Sequence, residues 1–326
     1  MIRPPELSLD HPMEIAEGVI SSTERVWKIL SASAKGDLAT VKKMAAESPQ
    51  ILYAQYNYTP PIHFAVREGH LKLVEYLLDQ GAHDPSYKIY PFLDSLQIIA
   101  RDRGYEQIAE LLDAYAMQPL RQKYSGDNGT ILIPRTIEEK ELQIAVNELD
   151  LEKTESILKK HATYVHDDNF FWGEGILMMP AKNNSPHMVE LLLGYGAKVP
   201  SILKWTQFYY FKHIEMAKLL MARGMNPNTM SWHGVTILHD MAQKGDLGKA
   251  DLLLTYGAEI DPVDDEYQST PLGMAVRWGH GPMVEFLLQK GANPDKSGAS
   301  WSRPLAWASK KGFSEIEIML RNAGAK

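Results

Sequence analysis

An all-α solenoid of about nine helix-turn-helix units is the fold this sequence predicts, and three observations predict it. One short pattern recurs. Thr270-Pro271-Leu272, Ala275, Gly279-His280, Leu287-Leu288 and Gly291-Ala292-Asn293 are echoed by Pro61-Ile62-His63-Phe64-Ala65, Gly69-His70, Leu77-Leu78 and Gly81-Ala82. The inter-helix glycines, with the residues that stand in for them, centre at 36, 69, 104, 149, 184, 212, 245, 279 and 312, a period of about 33 residues. Within a unit the apolar residues keep helical spacing, as Met283, Val284, Leu287 and Leu288 do.

Each element has a local cause. Thr270 is an N-cap, and Pro271 at the first helical position gives up only a donor that has no partner there. Gly279 ends the first helix by tolerating a left-handed backbone, and Gly291 stops the second. Helices of roughly 8 to 10 residues are marginal alone in water, so the units must stack. Thr236-Ile237-Leu238-His239 before Gly245, and Arg303-Pro304-Leu305-Ala306-Trp307-Ala308 before Gly312, repeat the plan. Looser copies centre on Gly36 and Gly104, and degenerate ones have Leu149, Asn184 and Lys212 at the glycine position.

These elements resemble ankyrin repeats over residues 26–326, strongly at 59–84 and 230–326 and weakly at 137–229. The resemblance implies a right-handed stack whose connecting loops project as fingers, with fingers and first helices lining a concave face that binds protein. It also implies a structural role for His63 and His239, bonding neighbouring finger backbones.

The expected organisation is an extended lead-in over 1–21 and a single solenoid over 22–326, with Ser22 capping the first helix. The solenoid divides into an insertion at 113–136, degenerate repeats at 137–229 and regular repeats at 230–326. Turn-forming Ser125-Gly126-Asp127-Asn128-Gly129 between β-prone flanks predicts a hairpin near 120–134. Pro180 replaces a small alanine and should break or shift its helix, and Phe208 and Lys212 fit the motif poorly. Glu317 and the basic run from Lys296 to Lys326 read as a polar end cap.

Composition excludes several classes. A net charge of −7 argues against a phosphate-tracking nucleic-acid surface. No apolar run of about 18 residues could span a bilayer, and no apolar core of a secretory signal follows Met1-Ile2-Arg3. Cysteine is absent, which removes disulfides, thiol catalysis and cysteine-ligated zinc and fits a cytoplasmic setting. His161 and His166 lack the i, i+4 spacing of a shared metal face, and Gly279-His280-Gly281 lacks the strand and third glycine of a dinucleotide loop. Neither a cofactor, a metal nor a catalytic set is expected.

The repeat register assigns Tyr56, Arg67, Tyr90, Phe92, Arg103, Phe171, Trp172, Glu174, Tyr210, Trp232, His233, Tyr267, Arg277 and Trp278 to the groove side, with Trp301 beside the last finger. Aromatics interleaved with arginine supply large contact area at small entropic cost. The functional expectation is a non-catalytic scaffold that binds a protein partner through this face. A small-molecule receptor or unrecognised enzyme, with a pocket formed by the middle repeats and the 120–134 insertion, is the alternative.

Overall fold

The structure, a computed structural model, describes residues 1–118, 130–167, 170, 174–199, 202–203 and 209–326. The chain divides into two compact units, one of Arg3–Pro134 and one of Arg135–Lys326 joined by Met1–Ile2.

In the first unit, Pro12–Ala16 (β1) and Val19–Ser22 (β2) pair antiparallel. Alternation along β1 buries Met13 and Ile15 on one face. Thr130–Ile131 (β3) adds to the other edge of β1, giving the order β2-β1-β3. The lead-in is thus sheet over 12–22, and the C-terminal end of the expected insertion hairpin is the third strand. Residues 119–129, which hold its turn, lie outside the described residues.

Ser22 accepts from Arg25 N at 3.4 Å and caps Thr23–Ala34 (α1), as expected. Leu38–Glu47 (α2), Pro61–Arg67 (α3), Leu71–Asp79 (α4), Leu96–Asp102 (α5) and Glu106–Ala116 (α6) complete the helix pairs. First helices pack on first helices (α1 on α3, α3 on α5), and α4 packs on α6.

The second unit contains Ile137–Asn147 (α7), Leu151–Lys160 (α8), Met178–Lys182 (α9), Pro186–Gly194 (α10), Ile214–Ala222 (α11), Ile237–Lys244 (α12), Leu247–Thr255 (α13), Pro271–Arg277 (α14), Gly281–Gln289 (α15), Pro304–Lys311 (α16) and Ser314–Asn322 (α17). Again like packs on like: α7 on α9, α8 on α10, α12 on α14, α14 on α16 and α15 on α17. With Pro180 inside it, α9 is only 5 residues long. Phe208 lies outside the described residues, and Lys212 does not take a left-handed backbone.

The inter-helix glycine has a second job besides its backbone angle. A Cβ on Gly36 would lie 2.6 Å from the His70 ring, one on Gly69 2.7 Å from Tyr105, and one on Gly279 3.0 Å from Phe313. In each case the intruding ring follows the glycine of the next repeat. Leu149 and Asn184 nevertheless hold φ of +60° and +53°, and they keep the same bonds as Gly69. Gly69 N donates to Val66 O and His70 N to Ala65 O, as Leu149 N does to Val146 O and Asp150 N to Ala145 O. The cap therefore survives where the motif has decayed.

The repeat of α16 and α17 departs from the apolar pattern of the one before it. At the positions of Val284 and Leu288 it has Glu317 and Arg321, paired at 2.8 Å.

Candidate interaction surface

The fingers of the first unit are anchored from below and partly exposed at the tip. Tyr56 and Thr59 exchange backbone hydrogen bonds of 3.3 and 2.9 Å, with Asn57 and Tyr58 left-handed between them. Tyr56 is buried and its hydroxyl donates to the Glu6 carboxylate, whereas Tyr58 is 44% exposed. In the next finger, Ile89 N donates to Asp94 O and Leu93 N to Ile89 O, and Phe92 is buried. Tyr90 and Leu93, 44% and 57% exposed, stand at its tip.

The second unit treats the same positions differently. Asp264 N donates to Ser269 O, while the Asp264 carboxylate accepts from Tyr267 N at 2.6 Å and Ser269 N at 3.1 Å. Burial pushes this carboxyl up to about 7, against the two backbone donors that favour its ionised form. Asp265 N donates to His233 O at 2.9 Å, and His233 Nδ1 meets Glu266 Oε1 at 2.9 Å, so adjacent fingers are cross-linked. Arg277 lies 4.0 Å from the Tyr267 ring centre, 4.1 Å from Trp278 and 5.3 Å from Trp307. Trp301 meets Trp307 edge-on, and Trp307 Nε1 donates to Ser269 Oγ at 3.2 Å.

Of the residues expected on the groove, Tyr90 is exposed, and Arg103, Trp278 and Trp301 are half-buried. Phe171 and Trp172 lie outside the described residues. The remainder are corrected to buried positions: Tyr56, Phe92, Tyr210, Trp232 and Tyr267 among the aromatics, and Arg67, Glu174, His233 and Arg277 among the polar groups. The reasons are local. Arg67 stacks over Phe64 and pairs with Glu68, the Tyr210 hydroxyl donates to Glu174 O, and Arg277 fills an aromatic box. Tyr58, Leu93 and Trp307 were not picked out by the motif register, although the Asn57-Tyr58 tip is a turn signal readable from the residues.

His239, expected to be structural, is fully buried. Its Nε2 donates to Ser269 O at 3.0 Å, Nδ1 lies 2.8 Å from Thr236 Oγ1, and burial lowers it to about 4. His63 Nδ1 meets the Tyr87 hydroxyl at 3.1 Å. Among the described residues no helix is long and apolar enough to cross a membrane.

These paired helices, glycine caps and fingers define a repeat solenoid, and comparison with known proteins names its kind. The family model for ankyrin repeats in three copies matches residues 207–298 and 238–326, and the single ankyrin-repeat model matches 58–88. The chain is an ankyrin-repeat protein. It is similar to the human transient receptor potential cation channel subfamily A member 1, with 22% identity over 90% of this chain and 27% of that protein. It is also similar to human palmitoyltransferase ZDHHC13, with 37% identity over 28% of this chain and 14% of that protein. The chain thus spans about a quarter or less of the length of these relatives. The solved ankyrin repeat domain of Bcl-3 matches 57% of this chain and 86% of its own, with 24% identity and a TM-score of 0.50, a likeness of fold.

Proposed function

We propose that the chain is a protein-binding scaffold whose partner docks on the finger tips of the first unit. Ankyrin repeats form scaffolds that typically mediate protein–protein interaction, and this chain carries them in both units. The observation that supports the finer reading is the anchor-and-tip construction: buried Tyr56 and Phe92 fix the loops from which Tyr58, Tyr90 and Leu93 reach solvent. Apolar groups held out in a set geometry lose little entropy on binding. Such side chains supply the larger contributions when an interface covers them.

The test is affinity capture of crosslinked partners by the full chain and by a Tyr90→Ala/Leu93→Ala variant. Partner recovery is expected to fall at least tenfold while the melting midpoint stays in place. Unchanged recovery would reject the finger tips as the docking surface.

A further inference from the structure

The first repeat is built differently from the regular ones on both of its helices. Thr23, where α1 begins, lies 13 residues before Gly36, whereas α3 and α14 begin 8 residues before Gly69 and Gly279. The added turn carries Glu24 and Arg25, which with Lys28 form one wall of a cleft of about 440 Å³. Thr40, Lys43 and Met44 of α2 form the other wall. In the register of the inter-helix glycine, Thr40 and Lys43 stand where α4 has Leu73 and Tyr76 and α15 has Met283 and Phe286. Met44 keeps the apolar character of Leu77 and Leu287, and at 3% exposure it is the floor. The cleft thus comes from residues particular to this repeat.

Its charges are unevenly satisfied. Glu24 pairs with Arg3 at 2.5 Å and Glu47 with Arg25 at 3.1 Å, so both carboxylates of the lining are engaged by arginines. Lys28 and Lys43, one on each wall, are exposed and have no ion-pair partner among the described residues. Over residues 23–47 five Lys/Arg stand against three Asp/Glu, in a chain whose net charge is −7, so the cleft draws anions. The donors present select among them. A phosphate is held by arginine forks or by free amides at a helix start. Here Arg25 is bound to Glu47, and at the start of α2 the Asp37 carboxylate accepts from Thr40 N at 3.0 Å and from Thr40 Oγ1 at 2.6 Å. What is left is two lysines, point charges on flexible stems that impose no fork geometry, on either side of an adaptable methionine. Carboxylates spaced along a peptide, with an apolar side chain between them, match that set.

We propose that the cleft between α1 and α2 docks an acidic segment of a partner protein, with carboxylates on Lys28 and Lys43 and an apolar side chain on Met44. The proposal goes beyond the finger-tip reading and takes from it only that the ligand is protein.

The probes are the capped peptide acetyl-Glu-Glu-Leu-Glu-Glu-amide, its counterpart with glutamine for each glutamate, and inorganic phosphate. The readout is the NMR shifts of the Met44 methyl group and the Thr40 and Lys43 amides in the full chain. The acidic peptide is expected to shift these signals at millimolar concentration, and the glutamine peptide to leave them in place. An exposed ion pair is worth up to about fivefold in affinity, so Lys28→Gln/Lys43→Gln should weaken binding about tenfold. Lys72→Gln/Lys88→Gln removes two exposed lysines of the same unit that do not line the cleft, and should change binding less than about twofold. Equal binding of the two peptides, no shift with either, or equal losses in the two double variants would overturn the proposal. So would phosphate that moves the same signals as strongly at equal concentration. The peptides are compared on the wild-type chain, so that comparison decides even where a variant fails to fold. None of these signals reports on Tyr58, Tyr90 or Leu93, so failure here and failure of the finger-tip reading are told apart.

Discussion

The fingers of the two units are built on one motif and end in opposite ways. In the first unit the ring at the base is buried and the ring at the tip is wet, as Tyr56 and Tyr58 show two residues apart. In the second unit the corresponding loops close into a polar network of Asp264, His233 and Glu266, over an arginine stacked on Tyr267 and Trp278. A repeat thus dictates where a finger occurs but not which of its side chains solvent sees. That choice depends on hydrogen bonds between successive fingers, which no single repeat encodes.

The largest effect that separates the two kinds of finger is the cost of truncating a ring. Trp232 is 1% exposed, and Trp232→Ala should destabilise the second unit by about 3 to 5 kcal/mol, the range for a buried aromatic. Tyr90 is 44% exposed, and Tyr90→Ala should cost about 1 kcal/mol or less. Urea midpoints of the two variants measure the contrast. Similar losses would mean that the fingers are energetically alike.

A middle-sized effect comes from two buried histidines, one in each unit. Burial holds both His83 and His239 at about 4. Each stays neutral in the folded chain while its unfolded counterpart gains a proton below about 6.5, so stability falls as pH drops from about 6.5 toward 4, by roughly 3 kcal/mol per group at the limit. In the second unit Asp264 opposes this. Its carboxyl keeps its proton up to about 7 when folded, so its contribution grows as pH falls from about 7 toward 4. Acid should therefore loosen the first unit first, read as lost amide-exchange protection in α4 and α6 at pH 5 while α12 and α14 hold. Among the described residues neither ring nitrogen of His83 has a hydrogen-bond partner, so His83→Leu should stabilise by about 1 kcal/mol at pH 7 and abolish the early loosening. His239→Leu should instead cost about 2 kcal/mol, because Ser269 O and Thr236 lose their partner.

Most of the architecture was legible in the residues, and most of the candidate site was not. Thr270-Pro271, Gly279 and Leu287-Leu288 are local signals, and their helices lie where those signals put them. Pro180 pointed to a broken or shifted helix for an equally local reason, and α9 is 5 residues long. Trp232 and Tyr267 misled because the register marks which positions point toward the groove, whereas their burial depends on what packs over them. Likewise β1 and β2 escaped notice, since Pro4-Pro5 and Pro12 suggested only an extended chain and the partner strand β3 lies far along the sequence.

The smallest effect tests whether the inter-helix glycine is kept for its backbone angle or for the space it leaves. Gly69 and Gly104 both sit near φ +78°, at +77° and +79°, but a Cβ on Gly69 would meet the Tyr105 ring at 2.7 Å and one on Gly104 would meet nothing within 4 Å among the described residues. Gly104→Ala should therefore cost only the left-handed penalty, about 1 kcal/mol. Gly69→Ala adds the displacement of the ring, and should cost about 2 kcal/mol in all. Leu149 provides the converse, since it already holds φ +60° with the same two cap bonds. Leu149→Gly relieves about 1 kcal/mol of backbone cost and gives back part of it, because the leucine is half-buried. The net gain should be a few tenths of a kcal/mol. Equal losses for Gly69→Ala and Gly104→Ala would mean that Tyr105 yields without cost, and that the repeat keeps its glycine for φ alone. A difference of about 1 kcal/mol would instead explain why the decayed repeats tolerate Leu149 and Asn184: the cap angle is within reach of an ordinary residue, and the ring-to-glycine contact is what the regular repeats protect.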